Sequence, residues 1–306
     1  MQNSIDIGWL EIGIREDSSL AVLDHRRLRS VIAELFNPEN QYPSLCTFLG
    51  GKTKDHALQQ LYPLNNIKRH ISDAQIRLRY DISSLGSQQP TLLADGDIPS
   101  LEDFSALKVL QAGQGWPVSW ESKSARRILI ALWSRLVFCF TDVICIFLDN
   151  DDDVQKVVSL LLGCLNFGSA SQLPKSLLPK AIFIYNTTVS LTGQQYLNQK
   201  IEEAGYKDLT QIFSSTTIIY ISDESALSNS AQFYKLKSII GEQVDLLSSI
   251  RQEYHGRPNG NHFLALFQSA VDHMLHDVTT HFDVVKAMRK DRPVNMNMES
   301  YLQQAL

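Results

Sequence analysis

Residues 42–61 constrain the fold of this chain more than any other stretch: Tyr42-Pro-Ser-Leu-Cys-Thr-Phe-Leu-Gly-Gly-Lys-Thr-Lys-Asp-His-Ala-Leu-Gln-Gln-Leu61. Leu45 to Leu49 are apolar enough for a buried strand, Gly50 and Gly51 supply a turn, and a helix follows. Gly51, Lys52 and Thr53 match the end of the phosphate-binding pattern G-x-x-x-x-G-K-[ST]. In that pattern backbone N–H groups cradle the phosphates, the lysine reaches the outer ones, and the hydroxyl holds Mg²⁺. Cys46 stands at the first glycine position. With Leu45 to Leu49 in a strand, only Gly50 and Gly51 remain for the turn, which is too short to wrap a triphosphate.

Composition narrows the rest. A chain of 306 residues, 44% hydrophobic and 20% charged, can bury a full core in one large domain or two. Its formal charge of -5 offers no basic face for a phosphate backbone, so nucleic acid is not an expected partner. Cys46, Cys139, Cys145 and Cys164 form no C-x-x-C pair and read as buried thiols in a reducing compartment. The first residues, Met1-Gln-Asn-Ser-Ile-Asp, lack a basic region followed by an apolar one, so a cytoplasmic location is expected. Ile128 to Leu148 has the length of a bilayer span but contains Arg135 and Asp142, each costing about 2.5–3.5 kcal/mol near a bilayer centre. A buried helix running into a buried strand explains it better than a membrane span.

Residues 1–40 read as a lead-in: a strand within Ile5 to Ile14 and a helix from about Leu23 to Phe36. Gln75 to Ile82 alternates as a half-exposed strand does, and Thr91 to Ala94 returns beside it as a hairpin. A polar connection through Gly113, Gly115, Trp116 and Pro117 leads to a helix capped by Ser122 or Ser124. Asp142 to Leu148 and Lys180 to Tyr185 read as buried strands, and Thr216 to Ile221 as a further strand. Helices from Val154 to Leu165 and from Gly193 to Ala204 separate them. Alternation of this kind predicts an α/β fold with a mostly parallel sheet and flanking helices. From Ala231 onward the pattern is helical, with Gln232 to Ile250 and Phe263 to Met288 carrying helical spacing. The divisions are therefore 1–40 as lead-in, 41–225 as the α/β domain and 226–306 as a helical C-terminal extension.

A phosphate loop, then a hairpin, then alternating strands and helices resembles Ras-like and dynamin-like GTPases over about residues 40–225. Leu93-Ala-Asp-Gly-Asp-Ile98 echoes their D-x-x-G, with Gly96 directly after Asp95 and Ile98 at the glycine position. Asn186-Thr-Thr-Val189 keeps the asparagine of N-K-x-D but neither its lysine nor its aspartate. In texture the chain is similar to the P-loop-like region of large fungal multidomain proteins that also carry a patatin-like phospholipase domain. Phe140 to Phe147, Leu173 to Ile182, His262 to Phe267 and Phe282 to Ala287 carry that similarity. No G-x-S-x-G occurs, so the resemblance brings no nucleophile elbow with it.

The resemblance implies a P-loop NTPase-like site with Gly50, Gly51, Lys52, Thr53 and Asn186 as nucleotide-binding residues. Thr53 and Asp95 would be Mg²⁺ residues, and Mg²⁺ with GTP or ATP the cofactors. Asp149, Asp151, Asp152 and Asp153 follow a buried strand and read as a helix cap or a cation site. Their charge opposes phosphate. His273, His276 and His281 read as a solvated or partly packed helix face rather than a metal site. Trp116, Trp120 and Trp133 read as core packing rather than a base-stacking platform. The expected function is a degenerate, non-catalytic regulatory or protein-interaction module with weak or absent nucleotide binding and a protein partner. The alternatives are an active GTPase or ATPase with a short loop, and an accessory protein beside a separate lipase-like polypeptide.

Overall fold

The computed structural model describes residues 7–67, 75–99, 107–111, 114–120, 124–186, 192–221, 229–254 and 256–291. Two antiparallel strands open the chain, β1 (Gly8–Ile14) and β2 (Leu20–Asp24), followed by α1 (Arg27–Ala33). The expected lead-in helix therefore starts later than Leu23, because Leu20 to Asp24 pairs with β1 instead. Next come β3 (Ser44–Leu49), α2 (Lys52–Leu61), β4 (Gln75–Tyr80) and β5 (Thr91–Gly96). The short β6 (Lys108–Val109) and β7 (Trp116–Pro117) lead to α3 (Ala125–Ala131). A π-helical stretch, Leu132–Val137, and a last turn, α4 (Phe138–Phe140), continue α3. Then follow β8 (Val143–Leu148), α5 (Asp151–Phe167), β9 (Lys180–Asn186), α6 (Thr192–Glu203) and β10 (Ser215–Ile221). The helices α7 (Asn229–Glu253), α8 (Gly260–His276) and α9 (Val284–Asp291) end the described chain.

All ten strands join one mixed sheet, ordered β10-β9-β8-β3-β5-β4-β1-β2-β7, with β6 beside β1. From β10 to β5 every neighbouring pair is parallel. From β5 through β4, β1 and β2 to β7 every pair is antiparallel. The antiparallel half is built from the hairpin, from the strands of the first forty residues and from the short β7.

The inner parallel strands β3, β5, β8 and β9 are buried on both faces because their apolar residues continue without alternation, whereas β10, at the sheet edge, alternates and leaves Ile218 and Tyr220 exposed. In β3, Leu45 and Leu49 point to one core while Cys46 and Phe48 point to the other. In β8, Ile144, Ile146 and Leu148 face the first core, and Val143, Cys145 and Phe147 the second. The period of two assigns each side chain its layer. On the first face lie α1, α3, α5, α6 and α8, with Trp9, Trp133, Phe140 and Phe267 among the large side chains. On the second lie α2 and α7, through Leu58, Leu61, Phe233, Leu236 and Ile240. Helices α7 and α8 thus cover opposite faces of the sheet, each fully buried aromatic contributing roughly 1.5–3 kcal/mol.

Ile128 to Leu148 is a helical run followed by a central strand, as its sequence suggests. Among the described residues no helix is long and apolar enough to cross a membrane. The long C-terminal helical pattern breaks at Asp277, whose backbone is extended and whose carboxylate accepts from the Thr279 and Thr280 main-chain N–H groups. That competing turn separates α8 from α9.

Candidate functional site

The turn between β3 and α2 consists of Gly50 and Gly51 alone. Gly50 has φ 152°, and a Cβ there would stand 2.6 Å from the Phe147 Cβ and 3.3 Å from that of Lys54. Only glycine lets the chain turn this tightly between β8 and its own helix. The Gly50 N–H donates to the Gly96 carbonyl at 3.2 Å, which ties the turn to the end of β5. A loop this short offers no row of free amides curling around a polyphosphate.

The amino end of α2 receives an anion from inside the protein. Asp149, directly after β8, places Oδ2 3.2 Å from the Thr53 nitrogen and accepts its N–H. The same oxygen lies 3.0 Å from where a Gly51 Cβ would be. Helix N-termini attract negative charge through their unpaired N–H groups and dipole. Here that charge is a carboxylate of the chain. Asp153 holds it in place by accepting the Asp149 main-chain N–H at 3.0 Å, and burial raises the Asp153 carboxyl above its ordinary range.

Below the turn lies a closed ionic cluster. Lys54 is fully buried, with Nζ 3.2 Å from Asp55 Oδ1, 3.2 Å from Asp97 Oδ1 and 3.7 Å from Asp95 Oδ2. It also donates to the Gly96 carbonyl at 3.3 Å. From β4, Arg77 Nη2 stands 3.0 Å from Asp95 Oδ2, and Arg79 Nη1 3.1 Å from Asp95 Oδ1. These two arginine contacts are charge contacts whose angles fall short of hydrogen bonds. Three cations face three carboxylates, so the formal charges cancel. Burial lowers the pKa of Arg79 and raises that of Asp55. Charges removed from water persist only when paired in this way.

The residues expected to bind nucleotide are distributed around this cluster without converging on an open cradle. Gly50 and Gly51 form the turn, Lys52 is exposed, and Thr53 is half-buried with its N–H on Asp149. Asp95 is buried and faces two arginines and a lysine. Asn186 ends β9, opposite Ile221 of β10. Thr187 and Val189 lie outside the described residues, as does Ser122, whereas Ser124 occupies the N-cap position of α3. The Gly50 and Thr53 N–H groups and the Asp95 carboxylate are engaged within the chain while Lys52 stands exposed, so the residues present form no cradle that fits a Mg²⁺-triphosphate.

Sequence reading missed Lys54, Arg77, Arg79 and Asp97. The half-exposed strand expected at 75–82 is β4, and its Arg77 and Arg79 are buried against Asp95. The signal available was two arginines alternating with Leu78 beside an aspartate-rich return strand, a cross-strand charge match. The remaining candidates take up structural roles. Asn150 caps α5 by accepting the Asp153 N–H, and Asp152 pairs with Lys156. The rings of His273, His276 and His281 contact the carbonyls of Thr280, Asp272 and Ser169. Among the described residues no cluster of His, Cys, Asp or Glu is arranged to hold a metal. Trp133 is buried, Trp120 donates to the Met274 carbonyl, and Trp116 lies half-exposed on β7. All four cysteines are free thiols, and burial pushes Cys139 up to about 11.

No family model matches this chain, and no curated protein matches it in sequence.

Proposed function

We propose that the chain is a degenerate P-loop NTPase-like module of the kind found in large fungal multidomain proteins, working as a non-catalytic regulatory or protein-interaction domain with a protein partner in a reducing, cytoplasmic setting. The single observation that carries this reading is the Asp149 carboxylate on the Thr53 N–H. A side chain fixed at the helix terminus competes as an intramolecular group, at high effective concentration, with any phosphate in solution. It also repels one. The parallel order β10-β9-β8-β3-β5, with β4 antiparallel at its side, supports the ancestry. The two-glycine turn and the neutralised Asp95 support the loss of nucleotide.

Calorimetry with Mg²⁺ and GTP or ATP tests the reading. The wild-type chain should show no micromolar binding, and Asp149→Ala should bind inorganic pyrophosphate measurably better than wild type does. Micromolar nucleotide binding by the wild type, lost in Lys52→Ala, would make it a working nucleotidase with an unusual loop and overturn the proposal.

A further inference from the structure

At the opposite end of the sheet from the glycine turn, a cavity of about 540 Å³ opens between the α7–α8 connection, α9 and the segment before β9. This volume lies within the roughly 300–1,000 Å³ typical of small-molecule sites. Its wall is apolar, formed by Phe140, Leu177, Phe263, Leu266, Val285 and Met288 among others. No acidic side chain lines it among the described residues, although the chain as a whole carries a charge of -5. Two arginines do line it. Arg251 is already held by the Asp142 carboxylate, whereas Arg289, exposed at the rim, makes no hydrogen bond or ion pair with any described residue.

An apolar chamber with one uncommitted guanidinium at its mouth matches one kind of ligand. We infer that this cavity binds a single-chain amphiphile with a carboxylate head, a free fatty acid, whose tail fills the chamber and whose head meets Arg289. The guanidinium fork suits a carboxylate, which it can engage through two parallel N–H donors. Cavities lined by aliphatic and aromatic groups favour an apolar ligand body. The inference stands apart from the nucleotide reading, since the glycine turn and this cavity lie at opposite ends of the strands.

The full chain should be titrated calorimetrically with a fatty acid of about twelve carbons and with the primary alcohol of the same length. Expected is one saturable site that prefers the acid by about threefold to fivefold, the upper range for a contact with an exposed cation. Shortening the acid should weaken binding about fourfold per methylene, following the transfer value of a buried CH₂. Arg289→Glu should erase the preference for the acid while leaving the alcohol unchanged. Val285→Trp, at a position 55% exposed and therefore tolerant, should weaken both ligands by obstructing the mouth. Absence of saturable binding, equal affinity for acid and alcohol, or binding indifferent to both variants would each overturn the assignment.

Discussion

Strand β8 begins and ends beside an aspartate, and the two do opposite work. Asp142, just before the strand, is buried, accepts the Leu45 N–H at 2.7 Å and pairs with Arg251. It fastens α7 and the neighbouring strand to the amino edge of the sheet. Asp149, just after the strand, is half-buried and spends its charge on the end of a helix. The first carboxylate joins elements into a fold, while the second takes a place that an exogenous anion would otherwise occupy. Chemical type is the same in both, so surroundings alone decide whether a charge acts on stability or on binding.

The largest effect should come from the cluster on Asp149's side of the sheet. Lys54→Ala leaves Asp55, Asp95 and Asp97 short of a cation in a water-excluded site. Breaking one partner out of a buried ionic group costs about 3–5 kcal/mol. Urea denaturation should show that loss, and a loss below about 1 kcal/mol, as for a surface pair, would mean the cluster is open to water.

Asp142 comes next, and it brings a pH dependence. Burial, opposed chiefly by Arg251, raises its carboxyl above the ordinary value of 3.8. The folded chain therefore holds this proton at pH values where the unfolded chain has released it. Stability contributed by the protonated form is complete below the unfolded value and fades as pH rises through the folded one. Asp142→Asn, which keeps an oxygen for the Leu45 N–H, should cost about 1–3 kcal/mol for the charged contact it loses. Its stability relative to wild type should improve as pH rises from about 4 to 7. A difference that worsens over that range would show that Arg251 outweighs burial.

These contrasts also explain what the sequence disclosed. The strand, turn and helix at 44–61 and the runs ending in Leu148 and Tyr185 were legible, because buried parallel strands must be continuously apolar, and Thr216 to Ile221 was legible as a strand although it lies half-exposed at the sheet edge. Strand β2 was not legible, since Leu20 to Asp24 reads equally well as the start of a helix and only its pairing with β1 decides. The glycine turn could be located from sequence, but its occupant could not. Asp149 lies 96 positions from Thr53, and only the register of β3 with β8 brings them together. Lys54 illustrates the same limit: Lys52 and Lys54 are two residues apart, and helix phase sends one to solvent and the other inward.

A smaller effect should follow from Asp149→Ala. The variant removes a partly exposed charge from a helix N-terminus, worth about 0.3–1 kcal/mol. Thermal unfolding should reveal that modest loss. A loss several times greater would make Asp149 a second structural fastener like Asp142 and would erase the distinction between the two ends of β8.

Lys52→Ala should have the smallest effect, within about 0.5 kcal/mol of wild type, as expected for an exposed side chain far from special geometry. Measured beside Lys54→Ala, it separates two lysines of one helical turn that motif matching ranks in the wrong order. The motif position is Lys52, yet the lysine on which the structure depends is Lys54. If Lys52→Ala destabilised the chain as much as Lys54→Ala does, the motif lysine would have to reach a buried anion, which its exposed place on α2 does not permit. The ratio of the two losses therefore measures how far the carboxyl edge of the sheet has passed from holding a ligand to holding itself together.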